Sequence, residues 1–446
     1  MDPAGYWLSS RVRTLLRYAR VTSRRSRRRL TFLAGGVAVG TVAVLFAAAA
    51  DEAQVLFREI LVHWRYAPLV LTPSTFLLVT YVTRRFVPHS RGSGIPQTIA
   101  ARRAKNPAQR DALISIRVAV GKILLTLIGL LCGASIGREG PTVQVGAAIM
   151  ARVGDLTRIQ RAGLILAGAC AGIAAAFNTP LAGIVFGIEE MSQSFERRTS
   201  GLTLTTVIVA GLISLTLVGD YSYFGTPMAA LPNFNDWIVV PACGALGGSV
   251  GAIFSRAIIL FARGLPGRAG AVVRRFPLLF SAACGLGVAV CGLLTGNTTF
   301  GTGYAQARGL LDGSVPATLG FSVSKVAATL LSSISGIPGG IFSPSLAIGA
   351  GLGANLMALF PHVNIGALCL LGMVSYLTGV IQAPITAVVI VTEMTDGHAM
   401  IIPLMAAAVI AQAISRLICS KGVYHALAEL LASPAPSMSS SAKTPP

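Results

Sequence analysis

The stretch "LLCGASIGREGPTVQVGAAIM", residues 130–150, is apolar at both ends, yet sets Arg138, Glu139 and Pro141 among glycines at its centre. A charged side chain at the middle of a bilayer costs roughly 2.5–3.5 kcal/mol on insertion scales. A membrane segment that carries Glu139 must therefore neutralise the carboxylate or use it. The rest of the chain shows that this is a membrane segment. Of 446 residues, 53% are hydrophobic and 12% charged, about half the charged share of roughly 25% in soluble domains. Mean hydropathy is +0.71. Apolar runs recur at 30–50, 67–82, 112–137, 202–218, 237–262, 277–296, 364–381 and 401–418. Several approach or pass the ~20 residues that span a bilayer as helix. The number and length of these runs predict an all-α polytopic membrane protein and argue against a soluble helical bundle.

The net charge of +20 is concentrated. Nine arginines fall within residues 1–29, with Asp2 as the one acid there. Arginine before a first span predicts a cytoplasmic N-terminus. The same segment suits an interfacial helix on an anionic leaflet, a better fit than nucleic acid for a run tethered to a membrane domain. No cleavable signal is expected, because the charged region is long and the next segment has no cleavage site. The tail at 433–446, "SPAPSMSSSAKTPP", is of low complexity and is expected to be disordered; no soluble regulatory domain is expected after the last span. Seven cysteines lie mostly inside apolar runs without a CxxC pair, and five histidines form no HExxH. They predict packing residues, with no disulfide frame, metal site or cofactor.

The chain also repeats itself at an offset near 203. Setting 121–149 against 324–352 aligns Lys122 with Lys325, Thr126 with Thr329, Gly133 with Gly336, Gly137 with Gly340, Pro141 with Pro344 and Gly146 with Gly349. One residue of slippage later, "NTPLAGIVFGIEEM" meets "QAPITAVVIVTEM", placing Pro180 on Pro384 and Glu189 on Glu393. Two membrane repeats, 30–220 and 221–432, with glycine- and proline-broken helices in matching places, predict a transport site between the halves. Alignment also sorts the acids. Glu139 meets Phe342, and Glu190 meets Met394, whereas Glu189 has a matched glutamate and so a task shared by both copies. Neighbouring helical residues point about 100° apart, which separates Glu190 from Glu189. The unmatched Glu139 and Glu190 are the functional candidates; the alternatives are an ion pair of Glu139 with Arg138 and a helix cap by Glu190.

Three segments share one grammar: "GSGIP" (92–96), "GREGP" (137–141) and "GIPGGIFSP" (336–344). Each puts proline near a predicted start of a short helix, where its missing N–H costs nothing. Gly92, Gly94, Gly137, Gly140 and Gly340, with the backbone of Arg138, supply turns that expose amides. Three helix starts converging in a membrane would aim N–H groups at one point and bind an anion weakly enough to release it. Ser93 suits either a helix cap or a hydroxyl donor to that point, and Tyr424 either an interfacial anchor or a phenolic donor. A cation carrier would need oxygen-rich coordination instead. "GASIG" at 133–137 also fits the G-x-S-x-G hydrolase elbow, a remote alternative without the strand context or a nearby histidine.

Taken in order, "GSGIP", "GREGP", "GIFSP" and the late Tyr424 resemble the CLC family of chloride channels and chloride/proton exchangers, over residues 30–430 and without the CBS domains of some members. The resemblance is to a prokaryotic, inner-membrane member. It implies two inverted repeats of tilted and broken helices (the CLC fold), and a homodimer with one ion path per subunit. By position it implies chloride ligands at Ser93 and Tyr424 (hydroxyls) and at Ile341 and Phe342 (amides). It further implies an external gating glutamate at Glu139 and an internal proton-passing glutamate at Glu190, a position where channel members generally lack an acid. Nitrate-preferring members have proline at the Ser93 position, and the fluoride-exporting branch departs in "GREGP". Exchange is therefore the expectation, and a passive gated channel the alternative. Lys122 and Lys325 are expected either to raise the local positive potential or to snorkel to an interface.

Overall fold

The computed structural model describes residues 3–157, 161–192, 200–219, 222–227, 229–395 and 397–432. The expected disordered tail at 433–446 lies outside them. The first helix, α1 (Pro3–His63), joins the basic segment and the first apolar run without a break; the arginine side chains before Ser26 and at 27–28 lie outside the described residues. Then come α2 (Pro68–Phe86), α3 (Ile95–Arg103), α4 (Pro107–Ile114), α5 (Ile116–Leu131), α6 (Glu139–Thr157), α7 (Arg161–Phe177), α8 (Pro180–Phe186) and α9 (Ser200–Val218). The second half runs α10 (Val239–Arg263), α11 (Gly267–Arg275), α12 (Pro277–Leu294), α13 (Tyr304–Leu311), α14 (Leu319–Ser335), α15 (Phe342–Asn355), α16 (Ile365–Ile381), α17 (Pro384–Thr395), α18 (Ile401–Ile418) and α19 (Val423–Ala432).

The repeat in the sequence is a repeat in packing. In the first half α6 packs on α7 and α1 packs on α7 and α9; in the second, α15 packs on α16 and α10 packs on α16 and α18. The halves meet where α2 lies on α12 and α8 on α17. The same small residues make the same crossings. Gly146 abuts Gly168 between α6 and α7, and Gly349 abuts Gly372 between α15 and α16, where an added methyl would lie 2.5 Å from the Gly372 carbonyl oxygen. Membrane helices gain little from burying apolar surface against each other, so close backbone approach through glycine supplies the attraction.

Among the described residues, five helices are long and apolar enough to cross a membrane: Arg29–His63, Pro107–Leu131, Phe234–Arg263, Pro277–Leu294 and His398–Ile418. The run expected at 112–137 is interrupted. Helix α5 stops at Leu131 because the chain turns at Gly133, whose φ of +85° is matched by +98° at its repeat partner Gly336, beyond α14. Positive φ is open to glycine at little cost. These two turns end one helix and begin the irregular segments that lead into α6 and α15. Helix α16 is buried along its whole length, and α15 through Ala354, so these helices form the core against which the irregular segments pack.

Candidate functional site

The three glycine-rich segments meet, and backbone hydrogen bonds join them. Gly137 and Gly340 exchange N–H···O bonds of 2.7 Å each way, as an antiparallel pair. Gly92 donates to the Ile337 carbonyl and accepts from the Gly339 amide, each at 3.1 Å. Helices α3, α6 and α15 all begin at this junction, at Ile95, Glu139 and Phe342. The first four amides of a helix have no intrahelical acceptor, so the junction gathers unpaired donors and three positive dipole ends. Of the three helices, α6 is a full 19 residues, longer than the short helix expected after "GREGP". A Cβ at Gly140 would overlap the Ser93 hydroxyl, so glycine there admits Ser93 to the junction.

Around this point the polar side chains are buried and incompletely bonded. The Ser93 and Tyr424 hydroxyls face one another without a well-formed hydrogen bond between them, and neither oxygen has another partner. Phe342 stacks on Tyr424 with ring centroids 5.9 Å apart and 22° between planes, and Phe177 and Phe186 close its other sides. Ile341 is the residue preceding the first turn of α15. Glu139 is fully buried. Its Oε1 accepts a 2.5 Å bond from the Ser343 hydroxyl, and its Oε2 has no hydrogen-bond partner. The expected alternative of an Arg138–Glu139 pair is not what forms. Arg138 turns to Asp51, with Nη1 2.7 Å from Oδ1, and also bonds the Ala47 carbonyl and, at 3.3 Å, the Tyr223 hydroxyl. Donors without full positive charge, beside a buried carboxylate, suit a small anion or the carboxylate itself.

Two carboxylates that are adjacent in sequence have different tasks. Residues Gly187–Ser192 form a π-helical turn after α8, a distortion common at functional sites. Glu189 points to α17, where its Oε1 accepts from Ile385 N–H at 3.2 Å and its Oε2 from Thr386 N–H at 2.6 Å. Glu393 does the same for α8, accepting from Leu181 N–H at 3.1 Å and Ala182 N–H at 2.8 Å. Glu190 caps no helix. It is buried, with Oε1 3.0 Å from His425 Nδ1. Sequence reading named as site residues neither His425, although it follows Tyr424 directly in an apolar helix, nor Ser343. Each could be placed only once the distant segment it touches was known.

The matched lysines do not snorkel. Both are fully buried. Lys122 Nζ donates to the Gly92 carbonyl at 2.6 Å, just before α3, and Lys325 Nζ donates to Thr299 and Gly301 carbonyls at 2.9 and 2.8 Å, just before α13. Each ties down the glycine loop ahead of a short helix, the same task in each repeat. The hydrolase alternative also finds no support. The Ser135 hydroxyl is buried and bonded to Thr329 Oγ1 at 2.9 Å, among the described residues, with no imidazole at the bond.

The profile of the voltage gated chloride channel family matches residues 75–416, most of the chain and all three junction segments. The protein belongs to that family. Members named H(+)/Cl(-) exchange transporter ClcA are similar to it at 30% identity in Citrobacter koseri, over 89% of this chain and 87% of the relative. In Yersinia pseudotuberculosis serotype IB the figures are 32%, 88% and 85%. Among solved structures, a slow cyanobacterial Cl-/H+ antiporter superposes with a TM-score of 0.79 at 24% identity, covering 91% of this chain and 98% of its own. A CLC-type fluoride/proton antiporter follows at 0.76 and 23%, covering 90% and 98%. The CLC fold, with its two inverted repeats of broken helices, is therefore that of this chain.

Proposed function

We propose that this family member is a chloride/proton antiporter rather than an enzyme or a passive pore. The observation that carries the reading is Glu139: a wholly buried carboxylate at the meeting of three helix starts, beside the unpartnered hydroxyls of Ser93 and Tyr424. Chloride is held by those hydroxyls and by the Ile341 and Phe342 amides, as the family resemblance implies. The ionised Glu139 carboxylate is itself an anion and competes for the same donors. Once protonated it is neutral, gives up the donors and swings aside, so chloride passes in exchange for a proton. Weak multi-donor holding, without a full positive charge, keeps the ion mobile. The exchange-transporter names of the relatives support this reading over the channel alternative.

Helix packing supports the assignment of sides. Helix α6 runs opposite to α1, with Arg138 beside Ala47 and Asp51, and Met150 beside Gly35. With the arginine-rich end of α1 in the cytoplasm, Glu139 then lies toward the outside. Helix α9 runs in the same direction as α1, since Gly36 meets Thr206 and Gly40 meets Ala210. Its Ser200 start, and the π turn before it, then fall on the cytoplasmic side, and Glu190 is the inner proton station. We place the protein in the bacterial inner membrane, its N-terminal arginines on the anionic leaflet. We also infer a homodimer, with one path per subunit. The apolar groove of Leu181, Ile385, Val388 and Met405 across α8, α17 and α18 offers a contact face, which the mass of the detergent-solubilised protein tests.

The deciding experiment records external pH around proteoliposomes of the purified protein, with a chloride gradient imposed and membrane potential clamped. Protons driven uphill by chloride are expected. Chloride flux without uphill protons would make the protein a channel.

A further inference from the structure

Helix α19 presents two neighbouring side chains to two different parts of the molecule. Tyr424 reaches the junction of helix starts and stacks on Phe342, while His425 reaches Glu190 on the π turn, 235 positions away in sequence. The imidazole–carboxyl contact is 3.0 Å, the Glu190 side chain is 3% exposed and that of His425 13%. The other imidazole nitrogen, Nε2, is buried and has no hydrogen-bond partner. We propose that the inner proton station is a Glu190–His425 pair, in which His425 receives protons from the cytoplasmic side and passes them to the carboxylate. The assignment rests on the exchanger reading and deepens it.

The geometry allows either protonation pattern across the short contact. With the proton on Nδ1, the imidazole donates to an ionised Glu190; with the proton on Oε1, a neutral Glu190 donates to Nδ1. In the first pattern Nε2 is a free base. Uptake of a proton there gives imidazolium, and loss of the Nδ1 proton to Glu190 Oε1 leaves a neutral ring and a neutral carboxyl. Once Glu190 has passed its proton on, loss of the Nε2 proton to water and uptake of one at Nδ1 restore the starting tautomer. Passing an imidazole in this way avoids the cost of bringing a bare proton to a carboxylate withdrawn from water, and Nε2, without a hydrogen-bond partner in the protein, is the nitrogen available to take it up.

Other charged groups near the pair are committed elsewhere or point outward. Helix α3, packed on α19, brings Arg102 and Arg103, and Arg102 bonds the Met191 carbonyl at 2.7 Å. On the π turn Glu189 caps α17. Glu429 of α19 itself is bound by Lys421 at 2.6 Å on the exposed face. Helix α16 contributes no charged side chain, and α10 contributes Arg256 and Arg263, both exposed. His425 is thus the group that directly meets the Glu190 carboxylate.

The test is the ratio of proton to chloride flux in proteoliposomes, measured for wild type, His425→Asn and His425→Ala. Asparagine can keep the hydrogen bond at the Nδ1 position but cannot relay a proton. A positioned proton-transfer group contributes roughly 10²–10⁴-fold in enzymes, and the ratio in His425→Asn is expected to fall by at least about tenfold. Imidazole enclosed on the cytoplasmic face should restore part of it in His425→Ala, a rescue that a packing role would not give. A ratio kept in both variants overturns the relay while exchange stands, as does a parallel loss of both fluxes without imidazole rescue. Wild type that moves chloride without protons overturns the exchanger reading and the relay with it.

Discussion

Glu189 and Glu393 cap each other's helices: the glutamate that ends the α8 segment holds the N-terminus of α17, and the glutamate near the end of α17 holds the N-terminus of α8. The donor amides are themselves repeat partners, Leu181 with Ile385 and Ala182 with Thr386. The two repeats are therefore locked across their axis by a reciprocal pair of charged caps, each carboxylate placed where the positive end of a helix dipole favours it. Glu190, one residue on, is thereby left free to face α19.

Replacing either cap should cost stability in a symmetric way. A hydrogen bond to a charged group contributes about 1.5–3 kcal/mol. Glu189→Gln and Glu393→Gln should lower the thermal midpoint by similar amounts, while the proton-to-chloride ratio stays. A ratio that fell in Glu189→Gln would give Glu189 a part in the proton route, which its bonds to Ile385 and Thr386 argue against.

Glu139→Ala should separate the two ions. Without the carboxylate there is no group to carry a proton through the junction or to compete for its donors. Chloride should still cross, and uphill proton movement should fall to background. Coupling that survived the change would remove Glu139 from the gate.

Ser93 should set both affinity and choice of anion. Loss of one hydroxyl donor to an ion costs about 1.5–3 kcal/mol, or roughly 10–100-fold, so Ser93→Ala should weaken chloride binding by that range in calorimetry. Ser93→Pro should shift the flux ratio toward nitrate. An unchanged chloride/nitrate ratio would show that Ser93 is no ligand.

Lys122 should matter through Gly92. The fully buried ammonium donates to the Gly92 carbonyl at 2.6 Å, next to Ser93. Lys122→Met leaves that carbonyl with the Gly339 amide as its donor and loses a charged hydrogen bond of about 1.5–3 kcal/mol, which frees the loop. Both the thermal midpoint and chloride affinity should fall. Lys325→Met, which frees the loop before α13 instead, should lower the midpoint with a smaller effect on chloride. Equal losses of affinity in the two variants would argue that Lys122 has no special role in placing Ser93.

Much of this was legible in the chain itself, because a bilayer restricts what a sequence can do. Apolar runs must be helices, since unpaired backbone polar groups are costly in hydrocarbon. A glutamate inside one must have a purpose, and matched Lys, Gly and Pro positions mark a repeated unit. From these the membrane class, the two repeats, the helix starts at the three glycine-rich segments, and the separation of Glu190 from Glu189 could all be read. Contacts between remote segments could not. Nothing along the sequence says that Arg138 turns from Glu139 to Asp51, that Ser343 donates to Glu139, that Lys122 and Lys325 stay buried on carbonyls, or that His425 meets Glu190. Local pattern reports which residues share a helix face. Which partner a buried polar group finds depends on how helices pack, within each half for Arg138, Lys122 and Lys325 and between the halves for Ser343 and His425, and that is decided only when α19 lies against α3 and the glycine segments join.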